Sequence, residues 1–432
     1  MNQQRPIGAP RISVRDFMSA NPGTYAGQYL RKFWQPVFHS IDILPGRPIP
    51  LRIMGESFTL YRGSSGKVFL LDHRCPHRGA QLSAGWVEGD ELRCFYHGWK
   101  FAGDGQCVQQ PPEEDAFCNK VNIRGFPTRE YLGLVFAFLG EGQPPEFPRY
   151  PQFEHFDGFI EINAYFRECN YFQNLENSLD MSHVGFVHGD NSAVFSGMGD
   201  GKRLVAEESD WGISYTYTRP DGKQRTQQFG MPNMFYMTAL PTDVEIGWQE
   251  SMFWFVPIDD ERHIQFWLTR VRATGEVATR IRERRQRRRK EIVLAHQNVC
   301  EDILNGRLNI RDVDPSKVDL VQLQDDVAQV GQGRIANRDI EHLGRGDVGV
   351  IAIRRIWARE ISAMLNGAPM KTWTLKDGIA PRAWALGDER SALIGGSGTR
   401  SNDDAPAEII DVRPHVEIPI QLRALRGEQT RQ

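Results

Sequence analysis

Two short segments that each pair a cysteine with a histidine constrain this chain more than any other feature. Cys75 is followed two positions later by His77, and after 16 intervening residues Cys94 is followed three positions later by His97. A glycine comes after each pair and predicts a turn. Six cysteines in 432 residues are too few for a disulfide framework. The spacing therefore predicts a metal site with two thiolate and two imidazole ligands.

Two kinds of metal site compete for these four residues. A structural zinc site usually pairs like with like in sequence, and its histidines usually lie on a helix. Here each turn supplies one residue of each type, which fits a Rieske [2Fe–2S] cluster, in which two Cys bind one iron and two His bind the other. The stretch DHRCPHRGAQLSAGWVEGDELRCFYHGWKF resembles the two-loop signature of the Rieske family. This resemblance covers about residues 36–140 and implies the cluster ligands Cys75, His77, Cys94 and His97.

A second group of metal-binding residue types follows in the string from Asn174 to His188. On a helix, Glu176, Asp180 and His183 would share one face. His188 would lie roughly 140° away from His183, so both can reach one metal only if the helix is irregular or ends early. Taken alone, the pattern also fits two histidines that are packed in the core or bonded to solvent.

This string resembles the mononuclear iron motif of Rieske-type aromatic-ring oxygenases of the phthalate-dioxygenase type. Its position after the Rieske-like stretch and a linker is also the position of the motif in that family. The resemblance implies that His183 and His188 bind ferrous iron and that a downstream carboxylate is the third ligand. Asp326 is the preferred position and Asp325 the alternative, although either could simply be an acid near a helix N-terminus. Two histidines and one carboxylate leave coordination positions open for O₂ and substrate.

The same resemblance implies a role for Asp180 and an assembly of several chains. In the family, an aspartate at this position bridges an iron-binding histidine of its own chain, here His183, and a cluster histidine of the next chain, here His97. That arrangement implies a homotrimer, or a hexamer of stacked trimers. Asn177 lies one helical turn before Asp180 and is a candidate residue near the iron.

Electron supply is expected from another protein. The sequence has neither a GxGxxG motif after a strand nor the cysteine spacing of plant-type ferredoxins. A separate NAD(P)H-dependent reductase, with or without a ferredoxin, is therefore predicted to reduce the cluster, and this chain would be the terminal oxygenase. The resemblance alone implies that the substrate is a carboxylated aromatic compound that undergoes ring hydroxylation; O-demethylation of a methoxylated aromatic acid and a non-catalytic Rieske electron carrier are the alternatives.

The predicted fold is α+β. An all-β Rieske domain is expected at 36–143, a helix-grip catalytic domain with an antiparallel sheet and covering helices at 144–432, and an N-terminal segment packing on the latter at 1–35. Cys107 and Cys118 lie outside both loops and are expected to be ordinary thiols. Helix-like segments lie at 170–184, 275–305 and 336–364, and strand-like runs at 159–168, 204–218, 245–256 and 263–272.

Composition narrows the possible partners. The net charge of −3 gives no argument for nucleic acid, and no apolar stretch is long enough to span a bilayer. Without a signal peptide at the N-terminus, a cytoplasmic location is expected. The basic run at 280–290 is predicted to be a solvated helix face rather than a docking site for an acidic partner. Candidates for an aromatic pocket wall are Phe235, Trp248, Trp254 and Phe266, and candidates for binding a substrate carboxylate are Arg203, Arg225 and Arg270.

Overall fold

The computed structural model describes residues 12–189, 203–218, 224–239, 249–375 and 407–417. These residues divide into two compact units, one built mainly on residues 27–148 and the other on the described residues of 149–417 together with residues 12–19. Within the described ranges, no helix is long and apolar enough to cross a membrane.

The first unit consists of three small antiparallel sheets, with strand orders β1-β11-β10, β2-β3-β4-β9 and β5-β6-β7-β8. Its core packs Leu71, Leu92 and Phe101 around the two cysteines of the metal-binding turns. Cys107 and Cys118 are free thiols in contact with this core. The strands are β1 (Trp34–His39), β2 (Ile49–Ile53), β3 (Glu56–Arg62), β4 (Val68–Asp72), β5 (Trp86–Glu88), β6 (Glu91–Arg93), β7 (Lys100–Phe101), β8 (Cys107–Gln109), β9 (Gly125–Phe126), β10 (Thr128–Tyr131) and β11 (Leu134–Phe138).

The second unit is built on a sheet of eight described strands in the order β13-β14-β15-β16-β17-β18-β12-β19. All neighbours pair antiparallel except β12 and β19, which pair parallel. The strands are β12 (Phe159–Arg167), β13 (Arg203–Glu208), β14 (Gly212–Thr218), β15 (Gln224–Gly230), β16 (Met234–Ala239), β17 (Gln249–Pro257), β18 (His263–Val271) and β19 (Glu408–Asp411).

Helices pack on this sheet, and the N-terminal segment joins them because the Phe17 ring lies 5.2 Å from that of Phe172 and 5.8 Å from that of Trp357. The helices of the described residues are α1 (Arg15–Met18), α2 (Tyr25–Leu30), α3 (Pro151–Glu154), α4 (Tyr171–Ser178), α5 (Ser182–Val187), α6 (Gly275–Glu291), α7 (His296–Leu304), α8 (Leu320–Val330) and α9 (Val348–Leu365), of which α2 belongs mainly to the first unit.

The predicted α+β class, with an all-β unit followed by an antiparallel sheet and covering helices, is confirmed. Several elements differ in detail. The helix predicted over 275–305 is two helices, α6 and α7, and the one predicted to begin at residue 336 begins at Val348. Strand β15 was not among the predicted runs, because its polar residues interrupt the hydrophobic pattern that marks a strand.

Candidate active site

The two cysteine–histidine turns of the first unit share one backbone arrangement. The N–H of Gly79 donates to the carbonyl of Cys75 at 2.9 Å, and the N–H of Gly98 donates to the carbonyl of Cys94 at 3.1 Å. Both glycines have positive φ angles, +73° and +71°, a region that other residues enter only with strain. The predicted turns therefore form from local sequence, with a cysteine at the start of each.

Side chains from both turns converge on one place. The thiols of Cys75 and Cys94 are each 1% exposed and hydrogen-bond to one another. That hydrogen bond from Cys75 lowers the pKa of Cys94 to about 6, so one thiol is readily a thiolate. The His77 and His97 rings lie 4.4 Å apart, and Trp99 stacks on His77 at 4.6 Å. Within the described residues, the buried Nδ1 of His77 has no hydrogen-bond partner, which fits a nitrogen that binds metal.

The two histidines of the second unit lie at the two ends of one short helix. α4 ends at Ser178 and α5 begins at Ser182, and the Asp180 carboxylate accepts the N–H of Ser182 at 2.8 Å across this break. His183 lies in the first turn of α5 and His188 caps its C-terminus, with their rings 5.5 Å apart. The sequence requires an irregular helix or one that ends early, and α5 ends at Val187, just before His188.

Glu176 does not share a face with Asp180 and His183, as a continuous helix would require. The break separates it from them, and its buried carboxylate forms ion pairs with Arg338 and Arg354, each at 2.6 Å. Glu176 thus fixes α4 against the rest of the unit.

Asp325 of α8 completes a cluster with the two histidines. Its Oδ1 lies 3.3 Å from His188 Nε2 and 3.8 Å from His183 Nε2. One donor atom from each of the three residues lies within 4.8 Å of the others, close enough to share a single metal ion. Two imidazoles and one carboxylate form the donor set that non-heme ferrous iron uses.

The preference for Asp326 as the third member of this cluster is corrected by the structure. Asp326 is 1% exposed, and its carboxylate is bonded to Arg167 and His296. Consecutive helical residues point about 100° apart, so only one of the two aspartates can face the histidines. The alternative, Asp325, is the one that does.

Burial, hydrogen bonds and nearby charges shift the pKa of each residue of the cluster. Burial lowers the pKa of His188, but its hydrogen bonds to Asp325 and Gln324 outweigh burial, so the net pKa is raised. Burial opposes ionisation of Asp325, but the hydrogen bond from His188 and the charge of Arg167 keep its pKa below the ordinary value. Burial lowers the pKa of His183, which favours the neutral imidazole that metals bind. Asn177, predicted to lie near the iron, donates to Asp325 Oδ1 at 3.1 Å.

Gln324 is a functional candidate that the sequence did not single out. Its Oε1 lies 2.9 Å from His188 Nδ1, so that nitrogen donates and Nε2 is left to face Asp325. Such an outer hydrogen bond fixes the tautomer and ring orientation of a metal-binding histidine. The only signal in the sequence was its position beside Asp325.

A cavity of about 490 Å³ lies between this cluster and the sheet. Successive side chains of a strand point to opposite faces, so alternate residues of each strand line it. One row across the sheet is mainly aromatic, with the Phe253 and Trp267 rings 4.7 Å apart and Phe235 next to Phe253 at 5.8 Å. The next row, called the polar row, consists of Met237 and three polar residues, Ser251, Thr269 and Glu161.

Both units match known proteins. Residues 33–127 match the Rieske [2Fe-2S] domain, and residues 167–227 match the Vanillate O-demethylase oxygenase C-terminal domain. The chain is 31% identical over 369 residues to the 5,5'-dehydrodivanillate O-demethylase oxygenase subunit of Sphingobium sp., covering 81% of this chain and 80% of that protein. The chain belongs to the Rieske non-heme iron oxygenases.

Another relative of this oxygenase is the phenoxybenzoate dioxygenase subunit alpha of Ectopseudomonas oleovorans. It is 32% identical, and the match covers 80% of this chain and 84% of that protein's length. The structure of NdmA from Pseudomonas putida CBB5 has the same fold, with a TM-score of 0.57 and 19% identity over 80% of this chain and 94% of its own. The protein is thus the oxygenase subunit of a multicomponent system and uses a Rieske [2Fe–2S] cluster and a mononuclear iron.

The aromatic residues predicted to line the oxygenase pocket divide between the two faces of the sheet. Phe235 lines the cavity, but Trp254 and Phe266 pair with one another on the opposite face, where Trp254 contacts Tyr150 at 5.9 Å. Trp248 lies outside the described residues. Phe253 and Trp267, which do line the cavity, were missed because the choice of face depends on what covers the sheet.

The arginines predicted to bind a substrate carboxylate do not line the cavity where they are described. Arg270 lies on the opposite face of the sheet and pairs with Glu250 at 2.5 Å. The side chains of Arg203 and Arg225 lie outside the described residues.

The basic run is instead partly directed inward, which corrects its interpretation as a solvated face. From α6, Arg285 pairs with Glu161 at 2.9 Å and Arg289 with Asp411 at 3.3 Å, and both line the cavity. Arg288 also lines it, and its guanidinium donates only to carbonyl groups among the described residues, namely those of Pro315, Ser316 and Val318.

Proposed function

We propose that this oxygenase oxidises an aromatic acid held in the 490 Å³ cavity, at an iron bound by His183, His188 and Asp325. The observation that carries the proposal is the row of aromatic side chains that faces this cluster across the cavity. Flat apolar walls of this kind bind aromatic rings by stacking and edge contacts. The cluster ligands are proposed to be Cys75, His77, Cys94 and His97.

The protein's own residues prepare the iron site. When bound, the iron activates O₂ with single electrons supplied through the Rieske cluster. Gln324 holds the His188 ring so that Nε2 faces inward, and Asn177 holds the Asp325 carboxylate by donating to Oδ1. The aromatic row excludes water from the space next to these ligands, where the substrate is to lie.

Electron transfer between chains is proposed to pass through Asp180. Its Oδ2 lies 4.0 Å from His183 Nδ1, and its side chain is 30% exposed. Asp180 can therefore interact with His183 and still accept a hydrogen bond from outside its own chain. The implied partner is His97 of a neighbouring copy in a trimer, and size-exclusion chromatography with light scattering tests that assembly.

Arg288 is proposed to recognise the substrate carboxylate. Since its described partners are neutral carbonyl groups, its positive charge is not neutralised by an ion pair within the described residues. By contrast, the charges of Arg285 and Arg289 are paired with Glu161 and Asp411. A guanidinium is well suited to bind a carboxylate through two parallel hydrogen bonds.

Two reactions are possible at this site. In ring hydroxylation, both atoms of O₂ and two electrons with two protons convert the ring to a cis-diol. In O-demethylation, one oxygen atom enters the methyl group, which leaves as formaldehyde while the other atom becomes water. The match of residues 167–227 to the Vanillate O-demethylase domain favours O-demethylation as the second candidate.

Product analysis tests the proposal. The purified protein would be supplied with NADH, a surrogate reductase and a panel of benzoates and methoxybenzoates, while O₂ uptake is followed. Substrate-dependent uptake with a cis-diol supports ring hydroxylation, and stoichiometric formaldehyde supports O-demethylation. Iron content near two per chain and no substrate-dependent uptake would instead support a non-catalytic electron carrier.

A further inference from the structure

Two buried amide side chains at the polar end of the cavity have atoms without partners. Gln227 and Gln249 are 5% and 4% exposed, and both line the cavity. Among the described residues, neither Gln227 Oε1 nor Gln249 Nε2 has a hydrogen-bond partner. A buried polar group without a partner costs roughly 1–3 kcal/mol. Such a cost is expected where a ligand supplies the missing hydrogen bonds.

The sheet places these two glutamines at the same end of the cavity. β16 separates β15 from β17, so their backbones are two strand spacings apart, or roughly 10 Å. Gln249 pairs with Ala239 and, two residues further along the strand, Ser251 pairs with Met237. Gln227 precedes Gln228, which pairs with Tyr236, so extending this register by one residue places Gln227 level with Met237. Their side chains can therefore approach one group from two sides.

This end of the cavity is separate from the iron-binding end. α4 lies over the row that contains Gln265, because Asn174 donates to Gln265 at 3.1 Å. Ser251 pairs with Thr269, which lies four residues from Gln265 along β18. At about 3.3 Å per residue, the polar row is roughly 13 Å along the sheet from the row beneath α4, whose Asn177 contacts Asp325.

We infer that Gln227 and Gln249 form a subsite for a substrate hydroxyl group, an inference that rests on the proposed oxidation of an aromatic acid. A hydroxyl oxygen accepts the N–H of Gln249, and its hydrogen is donated to Gln227 Oε1. A methyl ether has no hydrogen to donate, and a carboxylate would place its lone pairs against Gln227 Oε1. The two uncharged amides thus select a neutral hydroxyl group, whereas Arg288 is proposed to select the carboxylate.

Anaerobic calorimetric titration of the iron-loaded protein tests this subsite with two matched ligand pairs. These are 3-hydroxybenzoate against 3-methoxybenzoate and 4-hydroxybenzoate against 4-methoxybenzoate. At least one hydroxyl compound is expected to bind about tenfold more tightly than its methyl ether. Gln227→Met and Gln249→Met should each remove that preference while changing the affinity for the ether less than about twofold.

Gln228→Met is the matched control, because Gln228 is next to Gln227 in β15 and faces the other side of the sheet. It should retain the wild-type preference. Equal affinity for both members of each pair, or a preference that survives both glutamine substitutions, would overturn the subsite while leaving the proposed function intact. Failure of all four ligands to bind the wild-type protein would overturn both.

Discussion

Asp325 and Asp326 are adjacent in α8 and both pair with Arg167, yet only Asp325 also contacts the two histidines of the cavity. Asp325 lies 3.3 Å from His188, whereas Asp326 is buried against Arg167 and His296. Asp325 is the proposed iron ligand, and Asp326 is the closer partner of a buried arginine that would otherwise destabilise the fold.

Substitution of these two aspartates should have opposite consequences. Asp325→Ala is expected to reduce the iron content from roughly three per chain to roughly two, because the mononuclear site loses a ligand while the cluster is unaffected. Asp326→Asn should retain all the iron but lower the free energy of unfolding by roughly 3 kcal/mol, because the buried Arg167 loses the closer of its two carboxylate partners. Iron analysis, visible absorption and urea denaturation measure these effects. The reverse pattern would return the ligand role to Asp326.

Gln324→Leu should weaken iron binding without unfolding the protein. Without the hydrogen bond to Nδ1, the His188 ring is no longer held with Nε2 toward Asp325, and affinity is expected to fall about 10-fold to 100-fold. Competition with a ferrous chelator gives the affinity. Gln324→Glu preserves a hydrogen-bond acceptor at this position and should retain most of the wild-type affinity for iron. A Leu variant with wild-type iron affinity would show that the hydrogen bond is incidental.

Asp180→Asn should leave both metal centres occupied and nearly abolish coupled turnover. The amide keeps the size of the side chain but removes the charge that is proposed to link His183 to a neighbouring chain. Stopped-flow absorption would follow reoxidation of the pre-reduced cluster by O₂ in the presence of substrate, and a decrease of at least ~100-fold is expected. The exposed Glu207→Gln substitution controls for loss of a carboxylate. Reoxidation at the wild-type rate would remove Asp180 from the electron path.

Arg288→Gln should raise the KM for an aromatic acid about 10-fold to 100-fold with little change in kcat, since the lost contact holds the substrate equally before and during reaction. The KM for the corresponding aromatic amide, which has no charge, should rise less than about threefold. Arg284→Gln, an exposed position on the same helix, is the control. An equal loss for the acid and the amide would assign Arg288 to folding rather than recognition.

Gly98→Ala should destabilise the cluster-binding unit more than Gly79→Ala. Both positions have positive φ, which costs an L-residue roughly 1–2 kcal/mol, but a Cβ on Gly98 would also lie 3.3 Å from Pro111 Cγ. Thermal unfolding and the visible absorption of the cluster report the difference. Gly79→Asn should be milder than Gly79→Ala because asparagine tolerates this conformation better. Equal melting temperatures for the two alanine variants would show that Pro111 moves aside.

Much of the chemistry could be predicted from the sequence, because the residues concerned are close together along the chain. Cys75 with His77 and Cys94 with His97 are each set by a local turn ending in glycine, and His183 and His188 lie at the two ends of one short helix. The angular spacing of the two histidines also predicted that the helix is irregular or ends early. Local geometry of this kind survives whatever packs around it.

Tertiary structure alone decided which of several equivalent neighbours faces the site. Asp325 and Asp326 are the same residue type in the same helix, and the position of Arg167 on β12 determined which one is buried. Alternation along β17 and β18 identifies two faces, but only the helices above the sheet determine that Phe253 and Trp267, rather than Trp254 and Phe266, line the cavity. The arginines of α6 turn inward for the same reason, because their partners Glu161 and Asp411 come from strands far away in the sequence. Burial and ion pairing depend on contacts between distant segments, and no local pattern encodes them.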